Sequence, residues 1–526
     1  MRSARTVVCL VAVGALALAG CSSGGASGSG GTLVNGKTFT MSVATDPGNL
    51  DPMTTTLSVT RSVDRFLYSR LVEVQNDGSV EAGLAQQWHA DTRTASFTLR
   101  RGLRCADGTP LTARDVAANI DYLGDPAHKS PLTGLWVMPG TTATASARTV
   151  TVHSGAPDPF LLLNVGTVGI VCHGGLTNPK LLAKGGAGTG MFRVSEVVPN
   201  DHYTLTRRTD FTWGPGDWNP KQRGLPDRVV IKVIGNETTA TNLMLSGQLN
   251  AASVNGPDQD RLTAQKLFHA DSLTPVGQLF FNQAGGRPTR AEAVRRALTQ
   301  ALDLPRVGKV LTDSRGQAAT GLVTVAPDPC RANTVRGTVP GFDLAAARSA
   351  LTAAGWTPGA DGIRTRGGQR LALTVLYQTG IGPTAAAAAE LAQQSWKKLG
   401  VDVRLKAVDS TGLSEVLFST GDWDVSMSPI TTGLPSTVVP FVSGAVPPKG
   451  TNFAHIDNAD YTRHVQQAMG KVGKQGCGDW AAAERALYRH VDVVSYVDNA
   501  IPTYGKDARF VVSDGIDPAS IRMYEQ

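Results

Sequence analysis

Some residues in this sequence could carry out catalysis, but they lack the partners that known catalytic motifs need. Ser395-Trp396-Lys397-Lys398 formally matches the S-x-x-K pattern of penicillin-interacting enzymes. The S-D-N and K-T-G elements that accompany that pattern are absent from the sequence, and the match falls inside a predicted helix with Trp396 on its apolar face. Beyond residue 24 the sequence contains no G-x-S-x-G motif, and it contains no H-E-x-x-H motif. We therefore predict that the protein is not an enzyme and uses no cofactor.

Histidines and cysteines could also do chemistry, as metal ligands or as disulfides. His455 and His464 lie nine residues apart, and neither has a partner at a recognised ligand spacing, so we predict no metal site. An even number of cysteines in an exported chain, with no C-x-x-C spacing, favours disulfides over a metal. Four cysteines lie beyond the N-terminal segment: Cys105, Cys172, Cys330 and Cys477.

Residues 1–20 have the three-part pattern of a secretory signal peptide. A charged start is followed by an almost wholly apolar run, and small residues lead to Cys21. Leu18-Ala19-Gly20-Cys21 resembles the lipoprotein cleavage box of bacteria, which implies that Cys21 becomes a lipid-bearing first residue. The Ser- and Gly-rich stretch that follows predicts a flexible tether over residues 21–36. The lipid would hold the protein on the extracytoplasmic face of the cell membrane, within a periplasm if the cell has an outer membrane.

Composition indicates a folded chain that does not bind nucleic acid and that does not span a membrane beyond the signal peptide. With 526 residues the chain exceeds one ordinary core, so we expect at least two lobes. The net charge of +7 is spread along the chain rather than clustered in a stripe, which argues against nucleic-acid binding. No apolar run after the signal peptide approaches the length of a membrane span.

Hydrophobic periodicity predicts a mixed α/β protein. Alternating residues predict a strand at 37–46, and the β-branched run 227–234 predicts a strand buried on both faces. Residues 371–377, 383–400 and 401–409 follow as strand, helix and strand, which predicts a βαβ unit and a parallel or mixed sheet.

Two further patterns place helices and the start of a second set of elements. Thr112 with Asp115 approximates a capping box and predicts a helix start there. Near Gln278 the segment GQLFFNQ predicts a strand, and Thr289 with Glu292 predicts a second capping box.

Four segments, in this order along the chain, resemble signature segments of one protein family. The family is that of the extracellular solute-binding proteins of ABC importers, family 5, which includes oligopeptide, dipeptide and nickel binders. The resemblance covers nearly the whole chain beyond the signal peptide. The segments are NLDPMTTTLSVTRSVDRFLYSRLVEVQNDGSVEAGLAQQW, FTLRRGLRCADGTPLTARDV, GTGMFRV and FNQAGGRPTRAEAVRRALTQALD.

The resemblance implies a two-lobed α/β fold like that of periplasmic binding proteins, of type II and the large cluster C type, with mixed sheets and a hinge. Lobe I would comprise residues 37–276 with a return of 505–526, and lobe II residues 277–504. The protein would be a monomer that closes over a small-molecule or peptide ligand and delivers it to ABC permease subunits in the membrane. Of the three pairings that four cysteines allow, we favour Cys105–Cys172 and Cys330–Cys477, because each stays within one lobe.

Candidate ligand-binding residues follow from the same architecture. They lie after the first strand, in the loop after residue 210, on the entry strand of lobe II, and after the Asp424-Val425 strand. Phe280 and Trp213 could equally be packed side chains, and Asn282 could bind backbone. The candidates are Thr45, Asn49, Trp213, Phe280, Asn282, Pro429, Ile430, Thr431 and Thr432.

The ligand class stays open at this point. Peptide binders of the family hold the ligand's ammonium group with an aspartate at a position that Gly433 occupies here, and no acidic residue lies between Val425 and Asp457. A buried ammonium group without a carboxylate partner is costly, which argues against recognition of a free peptide N-terminus in this way. Asp46 and Asp51 near the first strand could supply another carboxylate, or they could serve the turn-rich segment in which they lie. The alternatives are a receptor for a non-peptide solute, such as an oligosaccharide or a metal chelate, and a signalling sensor with the same fold.

Overall fold

One mixed sheet of eleven strands runs through the protein in the computed structural model, which describes residues 31–216 and 218–525. The short strand Gln317–Ala318 pairs in antiparallel register with Val497 and Asp498 of one of its central strands. The other ten strands, in order across the sheet, are Asp402–Val408, Ala372–Gln378, Val425–Met427, Phe268–Phe281, Val493–Gly505, Ala251–Ser253, Thr38–Val43, Arg228–Val233, His202–Arg207 and Phe192–Val198.

The two longest strands lie in the middle of this sheet, and we call them the hinge ribbon. Phe268–Phe281 pairs with Val493–Gly505 in antiparallel register, from Phe268 opposite Gly505 to Phe280 opposite Val493. Strands from residues 38–253 lie on one side of the ribbon, and strands from residues 372–427 lie on the other. The chain therefore enters the second half of the molecule along one strand of the ribbon and returns along the other.

The first strand of the ribbon begins at Phe268, nine residues earlier than the strand-like segment that the sequence indicates. Residues 268–276 are mostly half-buried or exposed, and their apolar side chains do not alternate regularly with polar ones, so their periodicity is weak. The pairing register shifts between Pro275 and Gln278. A Cβ atom on Gly277 would lie 2.4 Å from Val497 Cγ1, so the shift brings the two strands too close for a larger residue.

The predicted βαβ unit is present. Ala372–Gln378 and Asp402–Val408 pair in parallel, and helix Pro383–Lys398 connects them and buries Trp396 completely. Ser395, the serine of the S-x-x-K match, donates its hydroxyl to the carbonyl of Leu391 within this helix. The remaining helices of eight or more residues are Ser58–Leu67, Ala113–Gly124, Glu237–Leu245, Glu292–Gln300, Leu304–Leu311, Leu344–Ala353, Pro435–Val442, Ala459–Met469 and Cys477–Arg489.

One of the two predicted capping boxes is confirmed, and the other prediction is wrong. Thr112 and Asp115 form the predicted capping box at the start of helix Ala113–Gly124. Thr289 does not cap the next predicted helix, which begins at Glu292 after a short 3₁₀ turn. The Thr289 hydroxyl instead donates to the buried carbonyl oxygen of Asn282, and this long-range partner outweighs the local capping pattern.

A smaller antiparallel sheet belongs to the first half of the molecule. Its strands, in order, are Ala85–Ala90, Thr94–Leu99, Thr149–His153 and Thr142–Ser146. The short strands outside the two larger sheets are Thr32–Leu33, Val72–Val74, Val80–Ala82, Thr357–Pro358, Arg364–Arg366, Gln369–Arg370, Ala508–Arg509, Val512–Ser513, Gly515–Ile516 and Arg522–Glu525.

Both favoured disulfides form. Cys105 is bonded to Cys172 and Cys330 to Cys477, with Cα atoms 6.1 and 4.9 Å apart. The second bond ties a long loop to the first residue of helix Cys477–Arg489. The pairing predicted from the lobe assignment is confirmed.

The folded chain begins earlier than the predicted tether ends. Thr32–Leu33 pairs with Tyr524–Glu525, so the last residues of the tether predicted over 21–36 belong to the folded body. Cys21 and the signal peptide of residues 1–20 lie outside the described residues. Among the helices that the structure does describe, none is both long enough and apolar enough to span a bilayer.

Candidate functional site

Two adjoining chambers lie between the two halves of the molecule, with volumes of about 390 and about 420 Å³. The first chamber lies between helix Ser58–Leu67 and the loop after strand Val425–Met427. The second lies against the hinge ribbon and strand Thr38–Val43. The two chambers share the lining residues Ser58, Val325, Ala326, Ser513 and Asp514, which therefore form a waist between them.

Helix Ser58–Leu67 and a hairpin near the C-terminus build one wall of the first chamber. The helix presents Arg61, whose guanidinium carbon lies 4.3 Å from the centre of the Trp136 ring. The hairpin joins Val512–Ser513 to Gly515–Ile516 and places Asp514 at its tip. Gly515 has a φ of +91°, a conformation that favours glycine at a turn this tight.

Asp514 neutralises part of the positive charge on this wall. Its Oδ2 accepts hydrogen bonds from Arg61 Nη2 and from Arg70 Nη2, the latter at 2.9 Å. Burial opposes ionisation of the carboxyl group, but the charges of Arg70 and Arg61 outweigh burial and hold the pKa of Asp514 well below its usual value. Asp514 is therefore an anion at neutral pH, held between two cations.

Loops from the second half of the molecule build the opposite wall, and Gln278 of the hinge ribbon positions two of them. Its Oε1 accepts from Ile430 N at 2.8 Å, and its Nε2 donates to Leu322 O at 3.1 Å. Thr431, Thr432 and Gly433 follow directly and line the first chamber. Thr432 Oγ1 is buried and has no hydrogen-bond partner among the described residues.

The second of these loops, residues 319–335, carries Val325 and Ala326 to the waist, and we call it the cleft loop. Glu484 of helix Cys477–Arg489 holds both ends of it: Oε1 accepts from Leu322 N at 2.7 Å and from the Thr334 hydroxyl. Burial raises the pKa of Glu484 to about 6, against the lowering effect of these hydrogen bonds. The cleft loop thus depends on a carboxylate that titrates near neutral pH.

The two halves also touch each other away from the hinge ribbon. The rings of Phe160 and Trp480 stack with centroids 6.3 Å apart, and Gly473 N donates to Pro159 O at 2.7 Å. Asp328 N in the cleft loop donates to Asn76 O at 3.0 Å. These contacts link the two halves in addition to the hinge ribbon.

Of the candidate residues from the sequence, Thr431 and Thr432 line the first chamber. Phe280 is fully buried and packs against Phe453, and Asn282 donates to Trp423 O at 2.9 Å. Phe280 is therefore a packed side chain and Asn282 binds backbone, the alternatives that the sequence had left open for them. Trp213 is buried against Phe211.

The other four candidates also lie outside the lining of the two chambers. Thr45 is exposed beside the lining residue Ala44, and Asn49 accepts from Asp51 N in a local turn. Pro429 and Ile430 precede the lining residues, and the backbone N–H of Ile430 donates to Gln278, which positions the loop.

Sequence reasoning missed the charged wall. Arg61, Arg70, Trp136 and Asp514 come from three distant segments, so no local spacing relates them. The Asp-Gly pair at 514–515, between apolar residues, is a hairpin signal that could have placed a turn in the C-terminal return.

Metal and phosphate sites find no support in the geometry. No group of three or more His, Cys, Asp or Glu side chains in the described part of the chain is placed to hold a metal ion. The letters of residues 31–38, GTLVNGKT, fit a phosphate-binding loop, but that loop needs a following helix. Here the letters include strand Thr32–Leu33 and lead into strand Thr38–Val43 instead of a helix.

Comparison with known proteins agrees with this two-lobed geometry. Protein XP55 of Streptomyces lividans is 28% identical over 420 residues, covering 76% of this chain and 72% of the relative. The periplasmic murein peptide-binding protein MppA of Escherichia coli K12 is 25% identical over 511 residues, covering 88% of each chain.

Solved structures show the same fold. The unliganded open form of the murein tripeptide binding protein MppA superposes with a TM-score of 0.77 at 22% identity, covering 95% of this chain and 99% of that chain. The oligopeptide-binding protein AppA of Bacillus subtilis, in complex with a nonapeptide, superposes with a TM-score of 0.67 at 19% identity, covering 94% and 100%. The predicted two-lobed, mixed α/β fold is confirmed.

The family described as bacterial extracellular solute-binding proteins, family 5 Middle, matches residues 79–450. The chain belongs to this family of solute-binding proteins. Members of the family are extracytoplasmic binding proteins and not enzymes, as the sequence predicts for this chain.

The buried carboxyl group of Glu484 predicts a specific pH dependence of stability. Its pKa is about 6 in the folded protein and 4.5 ordinarily, so the folded state takes up a proton before the unfolded state as the pH falls. Acidification from pH 7.5 to 4.5 should therefore stabilise the wild type relative to Glu484→Gln by roughly 1–2 kcal/mol. Thermal unfolding of both proteins across this range measures the difference.

The matched control is Glu390→Gln, which changes an exposed carboxylate on helix Pro383–Lys398. Its stability should parallel that of the wild type across the same pH range. Parallel profiles for Glu484→Gln and the wild type would contradict the assignment of Glu484 as a buried, titrating anchor of the cleft loop.

Proposed function

We propose that this protein captures a peptide or a solute of similar size in the two chambers and delivers it to an ABC importer. Membership of the family supports solute binding. The relatives named for murein peptide and the AppA structure with a nonapeptide support a peptide-type ligand. The observation that carries the proposal is the pair of joined chambers between two halves that are linked by the hinge ribbon.

The chambers have the properties of a ligand site rather than of a packing defect. Their volumes fall in the range of small-molecule sites, and their lining combines apolar residues with hydroxyl groups and a few charges. Both walls of the first chamber come from elements that move with different halves of the molecule. Bending of the hinge ribbon would open the chamber, and contacts such as the Phe160–Trp480 stack would re-form on closure.

The lobe boundaries belong to this proposal. Lobe I would comprise residues 37–276 with the return of 505–526, and lobe II residues 277–504. The register shift between Pro275 and Gln278 supports a boundary at this point of the ribbon, because a bulge is a place where a strand bends.

Lipid attachment at Cys21 completes the proposed function. The pattern of residues 1–20 and the Gly/Ser-rich residues that follow support an anchored protein whose folded body begins near Thr32. A tether of this length keeps the carrier beside a permease in the same membrane and raises its local concentration there. The protein would act as a monomer.

Filling the first chamber should abolish binding without unfolding the protein. Thr431 is exposed and lines the chamber, so Thr431→Trp places an indole in the ligand space. We expect di- to hexapeptides to raise the melting temperature of the wild-type protein by mass action, and Thr431→Trp to lose this shift. Thr177→Trp, at an exposed position outside the chambers, is the matched control and should retain it.

A shift with oligosaccharides or metal chelates but not with peptides would favour the non-peptide receptor. An absence of any shift across peptides, saccharides and chelates would overturn solute capture. An equal response of Thr431→Trp and the wild type would move the site elsewhere.

Replacing the proposed lipid-bearing cysteine should release the protein from the membrane. We expect the wild-type protein to sediment with membranes and partition into detergent, and Cys21→Ser to remain in the soluble fraction, because no acyl chains hold it. Ser22→Ala is the matched control and should behave as the wild type. Equal partitioning of Cys21→Ser and the wild type would contradict the anchor.

A further inference from the structure

The charged residues that line the chambers are distributed unequally. Four lining residues in the described structure are charged, and three of them lie in the first chamber: Arg61, Arg70 and Asp514. Behind these lining side chains Arg65 pairs with Glu73 and Asp517, so the charges of the whole wall balance. The fourth, Glu237, is exposed in the second chamber, which Asp514 also lines. The two cationic side chains that line a chamber therefore both lie in the first one, where an anionic group on a ligand would meet them.

The two guanidinium groups retain donors for such an anion. Arg61 and Arg70 each donate to Asp514 through Nη2, and the described structure records no partner for their Nε and Nη1 groups. Their side chains are 21% and 12% exposed, and both line the first chamber. The Arg61 guanidinium lies over the Trp136 ring in a cation–π contact, which restricts its orientation. A guanidinium fixed in this way presents the planar fork that matches a carboxylate.

Arg65, in the same helix as Arg61, differs from the two chamber arginines in its position. It pairs with Glu73 at 3.2 Å and with Asp517 at 3.8 Å, its side chain is 6% exposed, and it does not line the first chamber. Its Nε and Nη1 groups also have no hydrogen-bond partner in the described structure, but they are buried. Among these three arginines, only Arg61 and Arg70 line the chamber, and they share the single carboxylate of Asp514.

The opposite wall has no negative charge to compensate a cation. Between Val425 and Asp457 the sequence has no acidic residue, and the lining residues there are Thr431, Thr432, Gly433 and their neighbours. A Cβ atom on Gly433 would lie 3.5 Å from the nearest carbonyl oxygens, so the backbone leaves room for a side chain that the sequence does not supply. An ammonium group at this wall would meet hydroxyl and carbonyl groups without a compensating charge.

We infer that the solute carries a carboxylate, that Arg61 and Arg70 bind it in the first chamber, and that this protein recognises the acid end of a peptide-type ligand rather than its ammonium end. The inference rests on the proposed function and names the ligand chemistry of that site. The carboxylate accepts hydrogen bonds from the N–H groups that Asp514 leaves unused, and Thr431 and Thr432 contact the neutral part of the ligand from the other lobe.

Blocked peptides test this directly. The probe is the di- to hexapeptide with uncharged side chains that gives the largest thermal shift, prepared with free ends, with an acetylated N-terminus and with an amidated C-terminus. Calorimetry should give similar affinities for the free and N-acetyl forms. Amidation should weaken binding about 10- to 100-fold, the cost of losing hydrogen bonds to a charged group.

Two variants assign the effect to the arginines. Arg61→Gln and Arg70→Gln should each weaken binding of the free peptide and reduce the difference between the free and amidated forms. Arg463→Gln, at an exposed position paired with Asp460 on helix Ala459–Met469, is the matched control and should bind as the wild type. Arg61→Lys keeps the charge without the fork, and it should bind the free peptide more weakly than the wild type while folding normally.

The outcomes separate the two proposals. Amidation without effect, together with loss of binding on N-acetylation, would overturn the carboxylate assignment and leave peptide capture intact. Undiminished discrimination against the amide in both glutamine variants would also overturn the assignment to Arg61 and Arg70. The absence of a thermal shift with every di- to hexapeptide would overturn the proposed peptide function and this inference with it.

Discussion

The pairing of two long strands is the constraint on which the rest of this structure depends. Phe268–Phe281 and Val493–Gly505 are the two passages of the chain between the halves, and they hydrogen-bond to each other within one continuous sheet. Relative motion of the halves must therefore bend this ribbon. Gln278, directly after the register shift, holds the two loops that line the chambers, so the ribbon and the ligand wall are mechanically linked.

The charged side chains that line the first chamber all lie on one of its two walls. The arginines and the aspartate of the first chamber come from segments 453 residues apart, joined by the Arg61–Asp514 ion pair. The wall from the second half is neutral and rich in hydroxyl groups. Such a division lets one half bind a charged ligand group strongly while the other completes the enclosure, so that closing costs little desolvation of charge.

The sequence predicted the fold well where the signal was local or came from a family resemblance. The βαβ unit around helix Pro383–Lys398 and both disulfides are confirmed. The capping box at Thr289 was wrong because a buried carbonyl 7 residues away competed for its hydroxyl. Thr431 and Thr432 were placed at the chamber because they follow a recognisable strand. Arg61 and Asp514 could not be, because only the tertiary fold brings them together.

A crystal structure of the protein with a bound peptide that raises its melting temperature is the most direct test of carboxylate recognition between the two halves. We expect ligand density in the first chamber, with one carboxylate in contact with the guanidinium groups of Arg61 and Arg70 and the remainder against Thr431 and Thr432. Ligand density outside the two chambers, or a ligand whose ammonium group lies at Arg61 and Arg70, would contradict it.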